Sequence, residues 1–337
     1  MQTPSEKSPI IRVMFGGDVM LGRNVKEYIL RFGPEYPLGP IAPLMRSANL
    51  TIINLECAIT SSLDQWPGER KAFYFGASPQ AITSLTAAGV DMVSLANNHA
   101  LDFGVEGLLD TFATLRSQGI RYAGAGIDRS DAFAPAIVEC NGMRFGMAAF
   151  CDHQADFAAG EKVPGIAWLD FDDEPAVEAV WRNALERLKA ATVDWSILSL
   201  HWGPNMVFRP SKKFRRLAHA AIDMGWKILF GHSAHVFHGI EIYRGCPIIY
   251  AAGDLVDDYR VDAEFRNDHQ LLFEVALSRD VLHQISLHPV FIDDCRTQHA
   301  SAAQAEYILR QMSALCEEMG TVVQRDAGCA WIDGLLI

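Results

Sequence analysis

Apolar residues arrive along the chain in short runs of strand length: IIRVMFGG (10–17), LTIINLE (50–56), VDMVSLA (90–96), RFGMAAF (144–150), VDWSILSLHWG (193–203), WKILFGH (226–232) and CPIIYAAGD (246–254). Between several of them, at 78–89, 105–119, 174–190 and 212–225, apolar residues recur every three or four positions and most segments stop at glycine, the signature of amphipathic helices. This alternation predicts an α/β fold. After residue 240 the strands crowd together. IEIYRGCPIIYAAGD predicts a hairpin across Arg244-Gly245, and QLLFEVALSRDVLHQISLHPVFI a second across Ser278–Asp280, so the sheets are expected to be mixed. A helix over 301–320 closes the pattern, and no repeat or long polar linker divides the chain. Residues 1–9 read as a disordered tail, 10–295 as one domain, and 296–337 as a C-terminal helix and tail packed on that domain.

The polar residues fall where strands end. Asp18 follows VMFGG, Glu56 ends TIINLE, Asn98 and His99 end MVSLANNH, His201 ends SILSLH, and His232 and His235 end ILFGHSAH. In α/β sheets the carboxyl edge is where crevices form. A lone histidine at a strand end is ordinarily a hydrogen-bonded cap, but five strand ends bearing ligand-capable groups at one edge exceed what packing requires. The set is oxygen and imidazole without thiolate. It suits zinc, manganese or iron, with calcium or magnesium less favoured by so much imidazole.

Composition narrows the setting. With 50% hydrophobic residues over 337 positions the chain can bury a large core. Its formal charge of −12 and the absence of a basic run longer than SKKFRR (211–216) argue against nucleic acid as a partner. Seven scattered cysteines without a C-x-x-C pair fit neither a disulfide framework nor a thiolate metal site, and point to a reducing compartment. No signal-peptide pattern or membrane-spanning run is visible, so a cytoplasmic location is expected.

The stretches GGDVMLGR (16–23), INLECAIT (53–60), SLANNHALDFGVEGLLDT (94–111), LHWGPN (200–205), GHSAHVFHGIE (231–241) and IIYAAGDLVDDY (248–259) resemble the CapA-type proteins associated with poly-γ-glutamate capsules, a branch of the calcineurin-like metallophosphoesterase superfamily. The likeness runs over roughly 10–275. It implies a four-layer α/β/β/α sandwich, metallophosphatase-like with mixed sheets, and two divalent metal ions at the carboxyl edge. On that resemblance Asp18 and Glu56 are the acidic ligands, with Glu56 bridging. Asn98, His201 and His232 complete one metal, His235 serves the other, and His99 stands by as proton donor. His238 is assigned a supporting or substrate-facing role rather than ligation. Two departures matter: Met20 stands where phosphoesterases carry a histidine, leaving one site short of a ligand, and the acid of the second strand is the Glu of NLE in place of a Gly-Asp pair.

Two metals would make hydrolysis of a phosphoester, peptide or γ-glutamyl bond the default chemistry. Epimerisation at a peptide α-carbon is an alternative, requiring an acid and a base on opposite faces, and Asp152 and His153 after the RFGMAAF strand are candidates; equally, Asp152 could cap a turn and His153 be merely exposed. Arg23, Asn205 and Arg209 are candidates to bind a carboxylate or phosphate. Asp254, Asp257 and Asp258 read as hydrogen-bonding or loop residues. A non-catalytic accessory protein that binds a polyglutamate-like chain or a synthase is the remaining alternative, and a homodimer is compatible with everything above.

Overall fold

The strand Trp195–His201 is buried along its whole length, yet its two faces enter different cores. Trp195 and Ile197 join one hydrophobic cluster, while Leu198 and Leu200 join another with Val177, Trp181, Leu185 and Leu217 of the helices Glu174–Ala190 and Lys212–Met224. The strands Met143–Cys151 and Ile228–His232 divide in the same way: Met147, Ala149 and Phe230 face one side, Ala148, Phe150 and Leu229 the other. A sheet apolar on both faces must be covered on both. Helices cover one face here and a second sheet the other, Phe15 of the strand Ile11–Val19 meeting Phe230 with ring centroids 5.1 Å apart.

This computed structural model describes residues 9–326 and 329–334. The proposed disordered tail therefore lies, but for Pro9, outside the described residues. Within them the strands form a ten-stranded sheet, a six-stranded sheet and two two-stranded ribbons. In the larger sheet Ile11–Val19 pairs in parallel with Leu50–Leu55, which continues to Met92–Ser94 and Arg121–Ala123, and on its other side runs antiparallel to His269–Ser278. In the smaller one Met143–Cys151, Trp195–His201, Ile228–His232 and Cys246–Ile249 are parallel, flanked by the antiparallel strands Ala136–Cys140 and Ile240–Tyr243. The helices Ile82–Ala88 and Gly104–Ser117 bury Leu85, Leu108, Phe112 and Leu115 in the core built by the larger sheet. The result is the expected α/β/β/α sandwich with mixed sheets.

Both hairpins form, the second turning at Arg279-Asp280 between His269–Ser278 and Val281–Asp293. The segment 296–337 does more than pack on the domain. Arg296–His299, Gln324–Asp326 and Cys329–Asp333 add strands to the larger sheet, and Ala302–Glu318 forms the helix between them, opened by a Ser301/Gln304 capping box. These three strands belong to the same ten-stranded sheet as Ile11–Val19.

One irregularity sets the position of the site. Phe15 pairs with Ile52 but Asp18 with Asn54, so three steps on one strand oppose two on its neighbour. This bulge falls on Gly16-Gly17, and the backbone there approaches another strand: a Cβ on Gly17 would lie 1.8 Å from the carbonyl oxygen of Gly253. The same carbonyl accepts the Asp18 N–H at 2.9 Å. Gly17→Ala is expected to cost about 3 kcal/mol, because backbone rather than a flexible side chain must yield. Urea denaturation of the variant checks this; an unchanged midpoint would mean that the approach is not enforced.

Candidate metal centre

The bulge turns Asp18 toward the smaller sheet. By strict alternation Asp18 would share a face with Met14; the extra residue places it instead on the side of Phe15, between the sheets. There it is 1% exposed, accepting the Asn54 side-chain N–H at 2.7 Å and the Ser233 backbone N–H at 3.1 Å. His201 and His232 come from directly paired positions on neighbouring parallel strands, and their Nδ1 atoms converge at 2.9 Å. His232 Nε2 meets Ser199 Oγ at 2.9 Å. The chain then leaves the strand through two residues with left-handed backbone, Ser233 (φ 96°) and His235 (φ 59°), a strained path that swings His235 back over the same edge. His235 Nδ1 lies 2.9 Å from Asp254 and 3.7 Å from Asp18. Glu56, 1% exposed, lies 3.8 Å from His201 Nε2 and accepts the Tyr259 hydroxyl at 3.3 Å.

Two donor groups emerge, one of Asp18, His201 and His232 and one of Asp18, Glu56, His235 and Asp254, the ligand atoms of each lying within 4.8 Å of one another. Asp18 is common to both, where the resemblance gave the bridging place to Glu56. Asp254, expected to be a hydrogen-bonding or loop residue, opens the strand Asp254–Val256 and pairs with Asp18, so its carboxylate reaches the cluster and meets His235. Asn98 keeps its side-chain oxygen buried and without a hydrogen bond. Met20 offers nothing, being fully buried with its sulfur accepting the Gly22 N–H at 3.1 Å.

The electrostatics fit a cation. Burial, then the charge of Asp18, holds the Glu56 carboxyl well above the usual range, and the same two causes act on Asp254. Burial likewise raises Asp18. Burial, then the neighbouring His232, pulls His201 well down, and burial alone takes His232 to about 3. Neutral imidazoles beside carboxylates that resist ionisation form a site lacking positive charge, a donor set compatible with a divalent metal.

His99 stands at the rim, stacked on Phe75 with centroids 3.7 Å apart. Its Nδ1 lies 2.6 Å from Asp102, whose other oxygen takes Lys71 Nζ at 2.5 Å; Lys71 also donates to the Asn98 carbonyl. Burial draws the His99 pKa down to about 4, so the neutral ring donates its Nδ1–H to Asp102 in a hydrogen bond and leaves Nε2 as the acceptor. Asn97 ties this turn to the neighbouring strand, donating to Asn54 at 3.1 Å and to the Leu55 carbonyl at 2.9 Å.

A cavity of about 650 Å³ opens in front of these groups, lined by Asn98, His99, His235 and Tyr259 and by the basic residues Arg23, Arg70, Lys71 and Arg260 against only Glu69 and Asp262. In a chain of net charge −12 that local excess favours an anionic ligand. Arg23 lies over the Phe73 ring at 4.8 Å, and Asn205 also lines the cavity. Two expected ligand-binding residues are elsewhere. Arg209 is exposed and forms a bidentate pair with Glu318 of the C-terminal helix, both contacts at 2.6 Å. His238 is buried, donating to the Val207 carbonyl at 2.7 Å, an arrangement that suits the supporting role and not the substrate-facing one. Asp152 and His153 do reach the edge of the cluster: one Asp152 oxygen accepts the Gly203 N–H at 3.2 Å while the other, Oδ1, is buried without a hydrogen bond, and His153 Nε2 meets the Gly203 carbonyl at 2.9 Å and Ser233 Oγ at 3.0 Å. Asp102, three residues beyond His99 in NNHALD, could have been found from its spacing; Lys71, in a polar loop, gave no signal.

The fold is thus an α/β/β/α sandwich of two facing sheets with acids, amides and histidines gathered at one edge. The family model described as bacterial capsule synthesis protein PGA_cap matches residues 12–259, and the chain belongs to that family. Among its relatives is a probable polyglutamine synthesis accessory protein of Mycobacterium tuberculosis, 30% identical, with 92% of each chain covered. The capsule biosynthesis protein CapA of Bacillus anthracis is 28% identical over 72% of this chain and 58% of its own, and the PGA biosynthesis protein CapA of Bacillus subtilis 28% identical over 76% and 67%. Solved structures similar to the chain include a sulfate thiohydrolase SoxB of Thermus thermophilus, with 11% identity, a TM-score of 0.45 and coverage of 95% of this chain and 62% of that one. The chain thus spans about three-fifths of the length of that structure. Among the described residues no helix is long and apolar enough to cross a membrane.

Proposed function

We propose that this protein is a metal-dependent hydrolase of an anionic, peptide-like substrate, with γ-glutamyl amides and phosphoesters as the bonds of choice. The observation that carries the reading is the pair of donor groups sharing Asp18 beneath a basic cavity that also holds His99. Asp18, Glu56, Asn98, His201, His232, His235 and Asp254 would hold two divalent ions. These would supply Lewis acidity and lower the pKa of water toward neutrality. The chain does the rest. Arg23, Arg70, Lys71 and Arg260 neutralise and orient the anionic group. His99, fixed by Asp102 and by its stack on Phe75, accepts a proton at Nε2 and returns it to the leaving group. Epimerisation needs a second acid–base group; His153 is held by the Gly203 carbonyl and Ser233 and one Asp152 oxygen by the Gly203 N–H, so hydrolysis, which needs only His99 beside the metals, is the simpler reading.

The names of the mycobacterial relatives favour a second reading, a binding accessory to polyglutamate synthesis. Turnover separates the two. Protein loaded with Mn²⁺ or Zn²⁺ is expected to hydrolyse γ-glutamyl-p-nitroanilide or bis(p-nitrophenyl) phosphate, and metal-free protein neither. Binding without turnover on a broad panel of such compounds would leave the accessory reading.

Metal removal should also show in stability. Glu56 and Asp254 hold protons to higher pH folded than unfolded, so their contribution to metal-free stability is fullest below the unfolded carboxyl pKa and is lost as pH rises toward the folded value. A divalent ion replaces those protons, so its stabilisation grows with pH. The rise in Tm on adding Mn²⁺ is therefore expected to be larger at about pH 8 than at about pH 5.5. Scanning fluorimetry across that range checks it, and a pH-independent increment would count against these carboxylates as ligands.

A further inference from the structure

A second cavity, of about 480 Å³, adjoins the first, Tyr259 and Asn267 lining both. Its character is opposite. Asp257, Asp258, Asp293 and Asp294 line it, together with Asp268, which is already taken by a bidentate pair with Arg266 at 2.9 and 3.0 Å. Asp258 is the informative member. Its side chain is 2% exposed; one oxygen accepts the Asn24 N–H at 3.0 Å and lies 3.4 Å from Arg23 Nε, while the other, Oδ1, is buried without a hydrogen-bond partner. A buried carboxyl oxygen left without a hydrogen-bond partner is costly unless a ligand supplies one. Asp293 and Asp294, at the turn leading into Arg296–His299, form no ion pair among the described residues.

The spread of these carboxylates selects the ligand. Among the described residues, three or more ligand atoms within 4.8 Å of one another occur only in the two groups around Asp18, so this cavity lacks the convergence an inorganic divalent ion demands. Separated acceptors around an open volume suit a group with several diverging N–H donors. We propose that the second cavity is a subsite for an organic cation, an ammonium or guanidinium group, carried by the same substrate whose anionic group lies against Arg23, Arg70, Lys71 and Arg260. This rests on the reading of the first cavity as the substrate site and narrows it: the substrate is zwitterionic, and a chain of carboxylates alone would leave the acidic half unfilled.

Calorimetric titration with 1,5-diaminopentane tests the subsite, with 1,5-pentanediol as the neutral control and the Asp293→Asn/Asp294→Asn double variant, whose exposed positions tolerate the change. Saturable binding of the diamine, none of the diol, and affinity about tenfold lower in the variant are expected. Glutarate, probing the basic half, should bind wild type and variant alike. Absence of diamine binding, equal affinity in the variant, or displacement of the diamine by equimolar Ca²⁺ would overturn the proposal, the last marking an inorganic cation site. Failure of the hydrolase reading looks different: the purified protein would retain no Mn²⁺ or Zn²⁺ while diamine binding persisted with its dependence on Asp293 and Asp294.

Discussion

Asp18→Asn is expected to empty the whole metal centre, since Asp18 is the one member of both donor groups. Asparagine keeps the shape and can still accept the Ser233 N–H, so the fold survives while the shared anionic ligand is lost. Loss of an outer hydrogen-bonding partner of a metal ligand already costs 10- to 100-fold in affinity; loss of this shared ligand should cost at least about 100-fold. Plasma mass spectrometry of wild type and variant, with circular dichroism to verify folding, reads the result directly. His201→Ala touches one group only and should leave part of the metal bound. If Asp18→Asn retained metal in full, the buried acids and histidines would be a hydrogen-bonded polar core and nothing more.

The second large effect concerns His99. His99→Gln should lower kcat by about 10²- to 10⁴-fold on whichever p-nitroanilide or phosphoester the wild type hydrolyses, with metal content unchanged. Asp102→Asn should fall in the same direction, because the carboxylate that fixes the imidazole Nδ1 proton at 2.6 Å and takes Lys71 is replaced by an amide that can present the wrong group to each. The separation of metal retention from turnover distinguishes this pair from Asp18. Activity within a few-fold of wild type in His99→Gln would remove His99 from the chemistry and leave the cation charge alone to account for hydrolysis.

These two predictions draw on residues of unequal legibility. His201 and His232 were visible as polar ends of apolar strands, and His99 as the end of MVSLANNH. Asp102 lies three positions beyond His99 in the same stretch, a spacing that a sequence pattern can show. GDLVDDY reads locally as hydrogen-bonding or loop acids, and only the strand Asp254–Val256, paired with Asp18, brings the Asp254 carboxylate within 2.9 Å of His235 Nδ1. Arg209 and His238 each lie close in sequence to a ligand-capable residue, yet one turns outward to Glu318 and the other inward to the Val207 carbonyl. Proximity along the chain says nothing about direction once the backbone leaves regular structure.

The sequence by itself determined the class of fold, the two hairpins and the gathering of ligand-capable side chains at one sheet edge, because hydrophobic periodicity and the ends of apolar runs are local properties. It could not say which face of each strand looks inward. Strands buried on both sides carry no polar face, so the alternation in Trp195–His201 is silent until the second sheet and the helices take their places. Only the tertiary structure decided that the Gly16-Gly17 bulge turns Asp18 into the interface, and that Asp18 rather than Glu56 joins the two donor groups. Both depend on contacts between residues more than two hundred positions apart, Gly17 against Gly253 and Asp18 against Ser233 and Asp254, which no local pattern encodes.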